Sequence, residues 1–198
     1  MRIPRKIRNV ITVFGFLARN AFAARRLASI ESVQSDLYIV RGLKPQDLEN
    51  VDRLYRTLHD GRALARPKMI LLRLFGGKLG FGVFSKETSG LVGVGVYYFN
   101  AREVKEHTVH EGFTGLEPSF QGKGLGSWLR GVAIAHFEKN GLSGVSSRVS
   151  ENNIPSLKSN ERLGFEVIER YYDGSVNEER FYLVKKFRGN DDLRSNAS

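Results

Sequence analysis

Residues 121–126 read QGKGLG, placing three glycines, a lysine and a glutamine at the entry to a helical pattern that runs from about Gly126 to Asn140. A strand that runs into a glycine-rich turn and then a helix aims several backbone N–H groups and the positive helix end at one spot. Such a spot suits a phosphate. Two familiar phosphate loops fail letter by letter. The Walker pattern needs Gly-Lys followed by Ser or Thr, and Lys123 is followed by Gly124. The pattern G-x-G-x-x-G needs glycine where Ser127 stands. What fits is Q-x-x-G-x-G, as Gln121, Gly124 and Gly126, followed later by N-x-x-S-x(7)-G-F, as Asn153, Ser156, Gly164 and Phe165.

With these two motifs in this order, and a helix, a strand and a second helix spaced between and around them, the chain resembles the GNAT superfamily of acetyl-CoA-dependent N-acyltransferases. The close likeness covers roughly residues 110 to 170, and a looser one runs from about 36 to 188. The resemblance implies a GNAT fold and acetyl-CoA as acyl donor. It implies that Gln121, Gly122, Lys123, Gly124, Leu125 and Gly126 wrap the pyrophosphate with main-chain N–H groups. Asn153, Ser156 and Asn160 contribute from the second motif. It further implies that the family's fourth and fifth strands splay apart. The main chain of Phe113, Thr114, Gly115 and Leu116 then meets the pantetheine as a missing strand would, with the Leu116 N–H polarising the thioester carbonyl. Transfer is direct attack by a neutral amine, without an acyl-enzyme, which suits a chain with no cysteine. The rate then comes from positioning and from oxyanion stabilisation in a dry cleft.

Two proton transfers remain. An alkyl amine is mostly protonated near neutrality, so a base must relieve it of a proton. The family often uses a carboxylate on the strand ahead of the phosphate turn, and His110 and Glu111 are the candidates here. Simple alternation puts His110, Gly112, Thr114 and Leu116 on one face and aims His110 into the cleft, with a pKa suited to the task. A bulge in that strand reverses the choice in favour of Glu111. The alternative for both residues is a solvated strand end. The leaving thiolate is usually protonated by a tyrosine four residues before the Gly-Phe pair, where this chain has Asn160, which cannot serve as a proton donor. Either Ser156, Ser159, Tyr171 or Tyr172 serves, or the thiolate leaves as such, or the domain binds acyl-CoA without turnover. Trp128, Ile134 and Phe137 read as core, and Gly164 and Phe165 as a helix stop and a strand start. His59, His107 and His136 have no metal-ligand spacing, and no metal is expected.

The supporting elements follow from the pattern. SDLYIVRGL reads as a first strand, and PQDLENVDRLYRTLHDG as a helix opened by Pro45 and stopped by Gly61. RPKMILLRLFGGK has mixed signals and reads as a short helix or loop. LGFGVFS and GLVGVGVYYFN form a hairpin around KETSG, and HTVHEGFTGLEP is the strand ahead of the turn. A helix from about 126 to 140, the strand LSGVSSRVS, the short helix NIPSLKSNERLG and a final pair, FEVIERYYD and ERFYLVKKF, complete the order. The expectation is an α/β (α+β) domain: a mixed, mostly antiparallel sheet of about six or seven strands flanked by helices, preceded by a basic amphipathic helix.

The net charge is +10, and residues 1–30 supply seven of those charges through Arg2, Arg5, Lys6, Arg8, Arg19, Arg25 and Arg26, with no acid among them. From Ile7 onward, apolar residues recur at helical spacing. Three readings stand open: a helix over residues 7–26 lying on an anionic membrane surface, a helix packed on its own domain or a second subunit, and a secretory leader interrupted by Arg19 and Asn20. The chain divides into a basic arm, 1–32, an acyltransferase-like domain, 36–188, and a tail, 189–198, expected to be disordered. The absence of cysteine excludes disulfides and thiolate metal sites. Nucleic acid is not expected as a partner, because the charge is confined to the arm. Acetyl-CoA and an unknown amine are the expected partners. The chain is expected as a monomer or homodimer in the cytoplasm, with its arm at the inner membrane face. Arg53, Arg56, Arg62, Arg66, Lys68 and Arg73 favour an acidic or phosphorylated acceptor, such as an amino sugar on a nucleotide in surface-glycan synthesis. A protein amine is the rival acceptor.

Overall fold

The computed structural model describes residues 5–187 and builds them around an eight-stranded sheet. In chain order the elements are α1 (Arg5–Ala24), β1 (Val33–Gln34), β2 (Tyr38–Gly42), α2 (Leu48–Leu58), α3 (Arg66–Leu79), β3 (Gly80–Ser85), β4 (Leu91–Tyr98), α4 (Ala101–Glu106), β5 (Thr108–Leu116), α5 (Leu125–Lys139), β6 (Gly144–Ser150), α6 (Ile154–Arg162), β7 (Glu166–Asp173) and β8 (Glu178–Lys186). The strand order is β1-β2-β3-β4-β5-β6-β8-β7, and β5 with β6 is the parallel pair among antiparallel neighbours. The sheet exceeds the expected size by the two-residue edge strand β1. Two helices differ from the pattern. The mixed segment is a full helix, α3, bent at Phe75 (φ −131°, ψ 17°). α4 is short and carries no amphipathic signal; it is fixed at its start by Glu103, whose Oε2 accepts the Asn100 N–H at 3.2 Å.

Alternation along β4 divides the core. Tyr97 faces α5, its ring 5.0 Å from Phe137. Val94 and Val96 face the other way, into a cluster with Val51 and Leu54 of α2 and Leu72 of α3. Each such buried side chain contributes about 1.5–3 kcal/mol. The sheet therefore has an α5 face and an α2/α3 face, and β5 runs through the middle of both.

The second half of α1 is docked on this domain. Asn20 is fully buried, donating from Nδ2 to Phe16 O (2.9 Å) and Phe99 O (3.0 Å) and accepting the Phe99 N–H at 2.7 Å. Ala24 and Leu27 are buried behind it, and the Phe16 ring lies edge-on to Tyr98 at 5.6 Å. The outer side of the same helix exposes Ile11, Phe14 and Phe22, with Phe14 at 72%. Among the described residues, no helix is long and apolar enough to cross a membrane. The tail expected to be disordered lies outside the described residues.

Asn20 joins α1 to the end of β4 through both backbone groups of Phe99. Asn20→Ala leaves that N–H and C=O buried and without these bonds, and we expect a loss of about 3 kcal/mol. Urea unfolding of the two proteins measures it; a loss below about 1 kcal/mol contradicts the docking.

Candidate active site

The glycine turn enters α5 without a side-chain cap. Gly124 holds φ +77°, a left-handed conformation that L side chains seldom adopt, and stands at the helix N-cap. The first helical bond runs from the Trp128 N–H to Gly124 O, so the N–H groups of Leu125, Gly126 and Ser127 have no partner within the helix. Gln121, Gly122, Gly124, Gly126 and Ser127 border a cleft of about 860 Å³. Two residues of the turn direct their side chains elsewhere: Lys123 Nζ lies 5.3 Å over the Phe120 ring, and Leu125 is buried in the core.

The long wall of the cleft comes from strand separation. β5 pairs with β6 only over residues 108–111 and 144–147, after which the two diverge. Phe113, Thr114, Gly115 and Leu116 border the cleft on one side, and Arg148, Val149 and Ser150 on the other. The Glu117 N–H donates to Val92 O on β4 at 2.9 Å. Because N–H and C=O directions alternate along a strand, Leu116 and Thr114 turn theirs away from β4, into the gap. Gln121 Nε2 donates to Leu116 O at 3.1 Å, tying the phosphate turn to that edge. The residues present thus fit an elongated molecule with an anionic group at one end and amides along its length.

At the vertex the expected alternation fails. The pairing of β4 with β5 shifts between Val96 and Tyr97, leaving Gly112 as the extra residue. A Cβ on Gly112 would sit 2.0 Å from Tyr98 Cε1, so this bulge needs glycine. Beyond the bulge Glu111 and Thr114 share a face, with Thr114 Oγ1 donating to Glu111 Oε1 at 2.7 Å. Glu111 therefore borders the cleft and His110 does not, the reverse of the simple count.

Glu111 is nevertheless fully engaged. Arg130 of α5 donates to it in a fork, Nε to Oε1 and one terminal nitrogen to Oε2, both at 2.7 Å, and the Tyr97 hydroxyl lies 3.4 Å away. Burial, then the Glu111 charge, pushes the Tyr97 phenol well above its ordinary value, so it stays a neutral donor. The same guanidinium donates to Asn160 Oδ1 (2.7 Å) and Ser159 Oγ (3.2 Å), and it lies 5.0 Å over the Phe165 ring. Asn160, 3% exposed, gives its own N–H to Ser156 O at 2.8 Å. Asn153 caps α6, accepting the Ser156 N–H at 3.2 Å. Asn153, Ser156, Ser159 and Asn160 all border the cleft, whereas Tyr171 and Tyr172 lie on the edge strand β7 and do not.

His110 occupies the α2/α3 face at the same vertex, 3% exposed. Its Nδ1 is 2.8 Å from Ser146 Oγ, and Ser146 donates to Glu103 Oε1 at 2.8 Å, as does the Tyr182 hydroxyl at 3.1 Å. Ser146 has one proton and gives it to the carboxylate. Its oxygen then accepts from His110 Nδ1–H, which leaves Nε2 as the ring's lone-pair nitrogen. Burial pushes His110 well below the ordinary imidazole value against the pull of Glu103, and Arg148, Lys68 and Arg180 push the same way. Burial opposes the Glu103 charge, but His110, Ser146 and Asn100 outweigh it and hold that carboxyl below its ordinary range. With His110 neutral at pH 7, the hydrogen bonds carry this stabilisation.

The sequence reading marked Lys68 but missed Arg130, Glu103, Ser146, Tyr98 and Arg148. Arg130 was findable, since a position four after Gly126 shares its helix face. The Glu103 contact depends on α4, which has no pattern to announce it.

The state of His110 sets a pH dependence. An unfolded imidazole titrates near about 6.5. With the folded value lower, the unfolded chain binds more protons below that pH, so this contribution is present above pH 6.5 and drains as pH falls. Between pH 6.5 and 5 the wild type should lose about 1.6 kcal/mol more than His110→Gln in urea unfolding. Parallel pH slopes would show that His110 is not held neutral.

Comparison with known proteins agrees with this geometry. The chain matches the family described as "Acetyltransferase (GNAT) family" over residues 48–165. A mycothiol acetyltransferase of Thermomonospora curvata is 36% identical over 86 residues, which are 42% of this chain and 27% of that protein. The matched segment thus spans about a quarter of that relative's length. Ard1 from Thermoplasma volcanium superposes with a TM-score of 0.65 at 15% identity, over 77% of this chain and 99% of that one. NAA60 from Arabidopsis thaliana in complex with acetyl-CoA gives 0.65 at 14%, over 76% and 99%. At such identities these structures speak for the fold. Members of the family use acetyl-CoA as donor. The matched residues include the uncapped α5 N-terminus, the diverging strands and the Asn153–Ser156 cap, and the chain belongs to the GNAT acetyltransferase family.

Proposed function

We propose that this chain transfers the acetyl group of acetyl-CoA directly to a primary amine of a small molecule. The observation that carries the reading is the open edge of β5 beyond residue 111, continuous with three unpartnered N–H groups at the start of α5. Acetyl-CoA supplies the activated acyl group. The N–H groups of Leu125, Gly126 and Ser127 hold its diphosphate, and the Thr114 and Leu116 main chain orients its amide arm. The Leu116 N–H donates to the carbonyl oxygen as negative charge grows there. Arg130 cannot release Glu111 without leaving a buried charge unpaired, so Glu111 positions the vertex and takes no proton. Burial makes His110 a weak base toward a free ammonium, so the amine enters from its neutral fraction. His110 Nε2, directly or through one water, takes the proton that the nitrogen sheds once the adduct has formed, with Ser146 and Glu103 fixing the tautomer. A small acceptor is favoured over a protein amine because the relative at 36% identity is named for mycothiol and not for a protein. An amino sugar of a surface glycan fits this class.

A second reading concerns the arm. Ile11, Phe14 and Phe22 form an exposed apolar stripe, Arg25 and Arg26 flank Phe22 at 5.6 and 5.2 Å, and Phe16 of the same helix touches Tyr98 on the α2/α3 face. An anionic membrane surface suits such a stripe and would bring the acceptor face to the cytoplasmic side of a bilayer.

Gly126 has an ordinary backbone conformation, and a Cβ there meets only Leu116 Cδ1 at 3.6 Å. Gly126→Glu should therefore fold normally, since an acid suits the first turn of a helix. It should weaken acetyl-CoA binding at least a hundredfold in calorimetry, with thiol release from an amine panel lost in parallel. Wild-type affinity in this variant rejects the cradle; tight binding by the wild type with no amine turned over favours a binding module. For the arm, wild type should co-sediment with phosphatidylglycerol vesicles and Phe14→Asp at least tenfold less. A wild type that stays in the supernatant removes the membrane reading.

A further inference from the structure

The α2/α3 face of the vertex carries more positive charge than its own acids neutralise. β6 presents Ser146, Arg148 and Ser150 on one face, and the register of β8 sets Val184, Tyr182 and Arg180 beside them. Ser146 touches His110, so Arg148, two residues on, shares the His110 face. Tyr98 stands opposite His110 on β4, with ring centroids 5.1 Å apart. Lys68, from the first turn of α3, closes the face from above, its Nζ 5.0 Å over the Tyr98 ring.

The cations differ in how they are paired. Arg180 lies 3.5 Å from Asp173 and 3.4 Å from Glu178, and it donates to Arg148 O at 3.1 Å. Even so, Arg180 Nε is buried without a hydrogen bond. Two further acids reach the face: Glu103, whose oxygens are taken by Ser146, Tyr182 and the Asn100 N–H, and Glu106, which lies 3.4 Å from the Tyr182 hydroxyl and is paired with Arg102 at 2.9 Å. Lys68 and Arg148 have no carboxylate within ion-pair distance among the described residues; each has only an aromatic ring, Arg148 lying 5.8 Å over Tyr182. Burial lowers the Lys68 ammonium below its ordinary value, as expected of a cation without an anion. A half-buried lysine and a cleft-wall arginine, both without acids and on two sides of the same imidazole, describe a place for a negative charge brought from outside. Of the six basic residues that the sequence marks on this side, Lys68 is the one that reaches the vertex.

We infer that Lys68 and Arg148 form an anion subsite that selects acceptors bearing a carboxylate or phosphate a few bonds from the reacting amine. This rests on the acetyl-transfer reading and adds the acceptor's chemical class. The anion lies between the ammonium and the guanidinium, Arg180 adds to the field, and the amine of the same molecule turns toward His110 Nε2 at the vertex. Attraction to the anion also selects against polyamines, because two cations face any second ammonium.

The test uses the full chain saturated with coenzyme A, so that the phosphate cradle is filled. It is titrated calorimetrically with glucosamine 6-phosphate and 4-aminobutyrate and with their uncharged counterparts, glucosamine and butylamine. Each anionic amine should bind at least tenfold more tightly than its twin. Lys68→Met should abolish the difference, Lys68→Arg should restore it, and coenzyme A affinity should be the same in all three. Lys68→Met removes a poorly solvated charge, so its melting temperature should equal or exceed that of wild type, which separates the effect from misfolding. Equal affinity for anionic and uncharged twins, a preference for spermidine, or an anion preference that survives Lys68→Met each overturns the subsite. Failure of the acetyl-transfer reading is seen separately: the wild type then does not bind coenzyme A, or binds both ligands and releases no thiol when acetyl-CoA replaces coenzyme A.

Discussion

The site exists because two neighbouring strands stop pairing. A strand interior is stable when its N–H and C=O groups are matched, and a strand that loses its neighbour exposes a row of unmatched groups. β5 and β6 share four residues of parallel pairing and then separate, so the outward groups of Thr114 and Leu116 face a gap where a strand would normally lie. The gap stays open because its vertex is filled. Arg130 reaches from α5 to Glu111 and, through the same guanidinium, to Asn160 and Ser159 of α6. Loss of either partner would leave a charge buried, a cost of about 3–5 kcal/mol. Phe165, the aromatic end of the second motif, supports this guanidinium from its ring face.

The vertex also separates two kinds of work. On the α5 face, helix N–H groups and the open strand edge offer main-chain partners to a long anionic molecule, an arrangement that tolerates many side chains but few departures from glycine at the turn. On the α2/α3 face, side chains dominate: His110 bonded to Ser146, Glu103 held by three donors, and cations arranged around them. On the proposed reading, donor binding and acceptor choice depend on different residues, and one can change without the other. The bulge at Gly112 sets the relation between them, since it puts Glu111, and not His110, on the face of Thr114.

How much of this was legible follows the same division. The main-chain half was readable, because glycine at 122, 124 and 126 and the Asn153 cap are local features with local causes. Strand alternation also works until a residue is inserted, and the insertion at Gly112 depends on the Tyr98 ring lying across it. No window of sequence contains that contact. Glu103 and Ser146 lie 43 positions apart and Arg130 and Asn160 30 apart, so their hydrogen bonds are consequences of the fold with no pattern of their own. The arm was ambiguous for a physical reason: α1 is apolar on two sides, one docked through Asn20 and Ala24 and one exposed at Ile11 and Phe14.

Asn160 and Arg130 are best understood together. A tyrosine at 160 would have to share a buried space with a guanidinium that already uses Asn160 Oδ1, and its hydroxyl would be one more group to satisfy. Asparagine instead both accepts from Arg130 and donates to Ser156 O, leaving neither amide end unmatched. The arrangement exchanges a proton donor for a rigid vertex. The chemical cost is modest: a thiol of pKa about 8.5 lies only about 1.5 units above neutrality, so leaving as the thiolate costs about 2 kcal/mol. A base is harder to do without, because an alkyl amine lies about three units on the wrong side of neutrality. On the proposed reading, the described cleft wall can do without a tyrosine, while the neutral imidazole of His110 takes the proton that the nitrogen sheds as the adduct forms.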